Sequence, residues 1–154
     1  MISFPNAKIN LALNIIEKRS DGYHNLESVF YPVPWCDVLE IIPSPNFKFN
    51  STGLAIPGES SNNLIIKAFE LLKNQGYFTD QNVNIHLHKI IPMGAGIGGG
   101  SADGAFALKM LNEIFNLNIS VLELQKFAAQ LGSDCAFFIE NTPKFCFGKG
   151  DHFQ

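Results

Sequence analysis

The densest chemical signal in the chain is the run Pro92-Met93-Gly94-Ala95-Gly96-Ile97-Gly98-Gly99-Gly100-Ser101-Ala102-Asp103, where five of the thirteen glycines fall within seven residues. Glycine reaches positive φ freely and lets a backbone amide approach a ligand with no side chain between them. Where such a run feeds a helix N-terminus, its N–H groups converge into an anion cradle. A plain strand-to-helix turn needs one or two glycines, so this density argues for phosphate. Gly94, Gly96 and Gly99 satisfy G-x-G-x-x-G, but the dinucleotide motif also needs a second parallel strand ending in an acid ~20 residues later. Here the helix from Ser101 runs into Asn116-Leu117-Asn118 and then into another capped helix. A Walker loop needs a Lys that does not follow Gly99 or Gly100, and the V-A-I-K and H-R-D segments of protein kinases are missing from the sequence.

Other residues carry chemistry with more than one reading. Asp134 follows Gly132-Ser133 at a helix start, where a carboxylate either complements the helix dipole or points out of the first turn. Lys8 shares a strand face with Asn10, about 6.6 Å away by strand rise. It is either a solvated edge-strand lysine or a compact charge that steadies a phosphoryl group. Tyr23-His24 follows the Ser20-Asp21-Gly22 turn, as an ordinary loop pair or as a ring and an imidazole that read a base. His86 and His88 have metal-ligand spacing without an evident third ligand, which favours solvated strand histidines. Cys135 has no His partner and is assigned to packing. Cys36, Cys135 and Cys146 form no C-x-x-C, which argues against a disulfide frame or a zinc ribbon.

The elements that must position these groups follow from periodicity. Ala7, Ile9, Leu11, Leu13 and Ile15 alternate with Lys8, Asn10 and Asn14, which predicts a half-buried strand with its apolar residues on one face. Strands are also expected over 26–33 and 37–42, separated by Pro32 and Pro34. Residues 43–61 read as loop with a possible hairpin around Phe47 and Phe49. Asn62 or Asn63 caps a helix that stops at Gly76. A strand over 83–90 precedes the glycine loop, a helix over 101–115 follows it, and Ser120-Val121-Leu122-Glu123 starts a further helix ending at Gly132. Ser133 is placed to cap a short helix holding Phe137 and Phe138, a strand follows over 144–147, and Gly148-Lys149-Gly150 is a turn. This order predicts an α+β fold in one domain spanning 1–154.

Composition narrows the class. Hydrophobic residues are 46% and charged residues 16% of the 154, against ~25% charged on average, which excludes a disordered chain. A net charge of −3 gives no footprint for nucleic acid. No apolar run nears the ~20 residues of a membrane span and no secretory leader is evident, so a cytoplasmic location is expected. Fourteen Phe beside one Trp and three Tyr imply large interior surfaces or a face awaiting a partner.

With the three other phosphate loops excluded, residues 92–102 resemble the ATP-binding loop of the GHMP superfamily of small-molecule kinases. The runs Ala7-Lys8-Ile9-Asn10-Leu11, Asp21-Gly22-Tyr23-His24-Asn25-Leu26 and Leu131-Gly132-Ser133-Asp134-Cys135-Ala136-Phe137-Phe138 narrow the likeness. They are similar to the branch that phosphorylates a cytidine diphosphate ester of methylerythritol in non-mevalonate isoprenoid synthesis. The resemblance implies a two-layer amino-terminal domain, mostly antiparallel sheet packed by helices, that uses ATP and Mg²⁺. It implies ATP binding by residues 92–102 with Asn63, Asp134 as general base, Lys8 as its partner, and Asn10, Tyr23 and His24 as substrate contacts. A different sugar or polyol kinase, in which Tyr23-His24 has no cytidine to read, and an inactive nucleotide-binding fragment are the alternatives. Family members continue into a second domain after Gly148-Lys149-Gly150-Asp151. The chain is therefore expected to be an amino-terminal domain with little activity alone, self-associating through the Phe-rich face the second domain would cover.

Overall fold

The computed structural model describes residues 1–22, 24–148 and 152–154. One sheet has the order β1 (Ile2–Ser3), β4 (Val38–Ser44), β6 (Asn82–Lys89), β5 (Lys48–Gly53); the other runs β2 (Asn6–Lys18), β3 (His24–Cys36), β7 (Lys144–Phe147), β8 (His152–Phe153). All pairings are antiparallel except β5 with β6. Helices α1 (Leu64–Asn74), α2 (Gly99–Ile114), α3 (Val121–Leu131) and the short α4 (Phe137–Glu140) complete the α+β fold. The β4–β6 face (Leu39, Ile41, Val83, Ile85, Leu87) is buried with Ile65, Ala68 and Leu72 of α1 and Ala105, Leu108 and Leu111 of α2 in one core. Gly104 lets α1 and α2 approach closely, since a Cβ there would lie 2.8 Å from Cβ of Leu64. No described helix is long and apolar enough to cross a membrane.

Local chemistry sets the helix starts. The Asn63 side chain accepts from the Ile65 amide at 2.9 Å and Ser120 Oγ accepts from the Glu123 amide at 3.3 Å, which satisfies amides the helices leave free. Helix α2 begins at Gly99, two residues before the sequence-based start, because Gly98 at φ +73° turns the chain directly into it. Ser133 does not cap α4: the helix starts at Phe137 after Ala136, and the Ser133 hydroxyl instead donates to Asp134 Oδ1 at 3.3 Å. The turn expected over Gly148-Lys149-Gly150 lies outside the described residues beyond Gly148, and β8 was not foreseen.

Two strand expectations are corrected. No break occurs at Pro32 and Pro34; β3 runs through both. Pro32 sits opposite Lys8, whose own amide donates away from β3 to Ile97 O at 2.9 Å. That makes the pair a non-hydrogen-bonded one, and β7 extends only to Phe30 on the other side, so the missing proline N–H costs no ladder bond. The stretch around Phe49 forms no hairpin with β4. Strand β4 already has β1 and β6 on its two edges, so β5 takes the outer edge of β6 in parallel.

The third correction concerns β2. Ala12 has φ 55° and is an extra residue: Leu11 pairs with Val29, yet Leu13 pairs with Ser28. This bulge shifts the side-chain phase by one. Ile9 and Leu11 share a face with Tyr31, Val29 and Phe145, whereas Leu13 and Ile15 lie on the face of Lys8 and Asn10. The strand is not half-buried by its aliphatics; Lys8 is 3% exposed while Leu11 is 46% and Leu13 is 55% exposed. Phe30, Phe69, Phe78, Phe127, Phe137 and Phe138 are buried, and Phe47, Phe49, Phe106 and Phe115 pack partly buried against the core, so the outer face is a mixed patch of Ile9, Leu11, Tyr31, Phe145 and Phe147.

Candidate active site

The glycine loop joins β6 to α2 and meets β2 at its centre. Gly94, Gly96 and Gly98 all have φ near +74°, the left-handed region that favours glycine. A Cβ on Gly94 or Gly96 would meet nothing within 4 Å, and both residues line the adjacent cavity. At Gly98 a Cβ would lie 2.8 Å from Phe138 Cζ and 3.1 Å from Lys8 Cγ. The loop is thus pressed onto Lys8 and α4, and the Ile97 carbonyl accepts from the Lys8 amide.

On the far side of Gly98 stands a buried ammonium. Lys8 Nζ donates to Asn10 Oδ1 at 2.6 Å, lies 3.3 Å from Asp134 Oδ2 and sits 4.1 Å above the Phe30 ring. Strand alternation brings Asn10 beside Lys8, and the turn after α3 delivers Asp134. The Asp134 side chain keeps 27% of its surface exposed while that of Lys8 keeps 4%. A carboxylate half-open to solvent and paired to a dehydrated ammonium can take a proton from an incoming hydroxyl while Lys8 offsets charge on a transferring group. Burial pushes the Cys135 thiol up to about 11, which leaves Cys135 a packing residue.

Against the other side of the loop lies a cavity of about 410 Å³, lined by residues 92–96 and 98–101, by Asn62, Asn63 and Leu64 at the α1 start, and by Phe49, Ile56 and Pro57. Apolar walls at one end and the glycine backbone at the other suit a flat base and its phosphates. Asn63 uses its carbonyl oxygen as a cap, which leaves its amide NH₂ as a donor at the rim. Ile97 and Ala102 complete the loop: Ile97 through its carbonyl, Ala102 through an amide donating to Gly98 O at 2.8 Å. The apolar wall from residues 43–61 escaped the sequence reading, although Phe47 and Phe49 hinted at it.

The structure does not bring every expected residue here. His24 pairs with Lys18 at the opposite end of the β2–β3 hairpin from Lys8 and is exposed, and Tyr23 lies outside the described residues. His86 and His88 hydrogen-bond Thr52 Oγ1 at 3.0 and 2.9 Å. Among the described residues no group of three or more His, Cys, Asp or Glu is placed to hold a metal.

One cluster was missed. Lys89 Nζ donates to Asp37 Oδ2 at 2.5 Å and Asp103 Oδ2 at 2.7 Å, all three side chains being buried. The available signal was a lysine on the apolar side of the β6 alternation, in line with Val83, Ile85 and Leu87. Burial, with the Asp37 charge adding and Lys89 opposing, pushes Asp103 up to about 7. Folded protein then holds a proton that the unfolded chain releases above its ordinary 3.8. The contribution to stability is greatest below that value and is lost as pH rises through about 7. Asp103→Asn removes the titration, so the melting-temperature difference between wild type and variant is expected to shrink between pH 5 and 8; a pH-independent difference would contradict the assignment.

These features define an α+β domain in which a glycine loop separates a cavity from a buried Lys–Asp pair. The sequence model of the GHMP kinases N terminal domain matches residues 63–142, and the chain belongs to that family. It is 55% identical over 154 residues to 4-diphosphocytidyl-2-C-methyl-D-erythritol kinase of Cytophaga hutchinsonii, covering 100% of this chain and 56% of that protein. The enzyme of the same name from Bacteroides fragilis is also 55% identical, covering 100% and 57%. The chain thus spans little more than half the length of these curated relatives. A crystal structure of 4-(cytidine 5'-diphospho)-2C-methyl-D-erythritol kinase superposes with TM-score 0.85 at 31% identity, over 100% of this chain and 54% of that one. Methanococcus jannaschii mevalonate kinase, at TM-score 0.73 and 14% identity over 100% of this chain and 55% of that one, shares the fold.

Proposed function

We propose that residues 1–154 form the nucleotide-binding and base-bearing domain of an ATP-dependent kinase. Its acceptor is the 2-hydroxyl of 4-(cytidine 5'-diphospho)-2-C-methyl-D-erythritol. The observation that carries the reading is the Lys8–Asp134 pair set 3.3 Å apart against Gly98 of the phosphate loop. The reaction class and acceptor are supported by relatives of that name at 55% identity.

The loop amides and the α2 N-terminus hold the triphosphate. Asp134 takes the hydroxyl proton as the acceptor oxygen forms its bond to the γ-phosphorus, the bond from that phosphorus to the bridging oxygen breaks, and ADP leaves. Lys8 sits where charge on the transferring group and on the acceptor oxygen is offset. Asn10 orients the acceptor. The donor set around the loop fits a Mg²⁺ carried mainly by phosphate oxygens, with the Ser101 hydroxyl as its protein contact, the usual low protein ligand count for this ion. Bound Mg²⁺ supplies charge neutralisation.

ADP release by this domain joined to the remaining length of a curated relative tests the reading, with the cytidine ester, galactose and no acceptor as arms. Release on the cytidine ester alone is expected. Release on galactose would assign a sugar kinase, and none on either would leave a nucleotide-binding domain without this activity. Expressed by itself, the 1–154 chain is expected to turn over weakly, because an open site lacks the dry surroundings that strengthen its charges. It is also expected to self-associate through the outer face of β2, β3 and β7. Sedimentation at rising concentration reads this, and Leu11→Glu should restore the monomer; a clean monomer throughout would count against the face.

A further inference from the structure

The Asp37–Lys89–Asp103 cluster lies under the glycine loop and holds both of its ends. Lys89 is the last residue of β6, the strand that launches the loop, and Asp103 lies in the second turn of α2, the helix that receives it. Asp37 joins β3 to β4, and its Oδ1 accepts from the amides of Ile90 at 2.5 Å and Ile91 at 2.8 Å, the first residues beyond the strand. The Lys89 ammonium reaches the other end, 3.2 Å from where a Cβ on Gly99 would stand. Launching strand and receiving helix are therefore tied to one ammonium.

Core packing alone does not account for this arrangement. Two carboxylates against one ammonium bury an excess negative charge when all are ionised, and apolar side chains of similar volume commonly replace such groups at no cost to stability. Asp103 Oδ1 is buried with no partner among the described residues, while Asp103 lines the cavity assigned to the nucleotide. Polar clusters of this kind are best attested where they fix one geometry among several.

We infer that Asp103, acting through Lys89 and Asp37, is a positioning residue for the nucleotide phosphates: the cluster fixes the spacing between the two ends of the glycine loop and so preorganises its amides. The inference rests on the nucleotide reading of the cavity. It makes loop order, and with it ATP affinity, depend on an acceptor at position 103 rather than on its charge. A loop displaced by about 1 Å can lose up to about a hundredfold in a geometry-dependent step.

Two measurements on the 1–154 chain test it: ATP affinity by calorimetry, and amide hydrogen exchange of residues 94–99 without nucleotide. Asp103→Ala should weaken ATP tenfold or more and speed loop exchange, while protection in α3 and β6 stays unchanged. Asp103→Asn, whose carbonyl still accepts from Lys89, should stay within threefold of wild type in both. If Asp103→Ala does not fold, the double change Lys89→Met with Asp103→Leu removes the tie at similar volume and should give the same loss. Unchanged loop exchange in a folded variant, or faster exchange spread evenly over the chain, would overturn the inference. Failure of the wild type to bind ATP would instead sink the nucleotide reading, while loop exchange would still decide whether the cluster holds the loop.

Discussion

Asp134→Asn, in this domain joined to the remaining length of a curated relative, is expected to lower turnover on the proposed acceptor by ~10²–10⁴, the usual worth of a general base, with ATP and acceptor affinities held within a few-fold. The asparagine amide has the carboxylate's shape but cannot take the hydroxyl proton. Lys8 keeps its bond to Asn10 and its place over Phe30, so the cation is not left without company. The loop is untouched, because it rests on Lys8 through the Ile97 carbonyl and not on Asp134. Steady-state kinetics and calorimetry on the same preparation separate the two effects. A variant with wild-type turnover would reduce Asp134 to a charge at the end of α3, and one that lost ATP affinity in parallel would place it in nucleotide binding instead.

What could be read from the sequence divides by the range of the physics involved. The glycine loop, the Asn63 and Ser120 caps and the helices they start are local: the chemistry within a few residues sets the backbone, and the structure follows it. Lys8 and Asp134 were legible as candidates, but their 3.3 Å approach needs β2 and the turn after α3 to be packed around Phe138, which no spacing encodes. The bulge at Ala12 was hidden because a single inserted residue leaves the apolar alternation intact while exchanging the faces it serves. The parallel placement of β5 depends on which sheet edge is vacant, a property of the assembled sheet. Lys89 shows the opposite case: its position on the buried side of β6 contradicted the local pattern, and the contradiction marked a cluster at the site.

Gly98→Val is expected to abolish measurable ATP binding, a loss of more than about a hundredfold, given the steep dependence of such sites on 1 Å displacements. Gly98 has φ +73°, and a β-branched residue held there costs of order 1–3 kcal/mol in backbone strain alone. Its Cβ would also lie 2.8 Å from Phe138 Cζ, and Phe138 is fully buried, so the ring has nowhere to go and the loop must lift. Lifting the loop breaks the Lys8 amide bond to Ile97 and displaces Gly94 and Gly96 from the cavity wall. Two companions isolate these causes. Gly96→Ala meets open space at φ +74° and should carry the strain without the clash, for an intermediate loss. Gly100→Ala stands in the helix, where its Cβ would meet the flexible Met93 Cε at 3.2 Å, and should bind within a few-fold of wild type. Circular dichroism establishes that each variant is folded, and calorimetry with ATP gives the order. ATP affinity surviving in folded Gly98→Val would refute the cradle, and equal losses at Gly98 and Gly100 would mean that glycine count, rather than the seat on Lys8 and Phe138, governs the site.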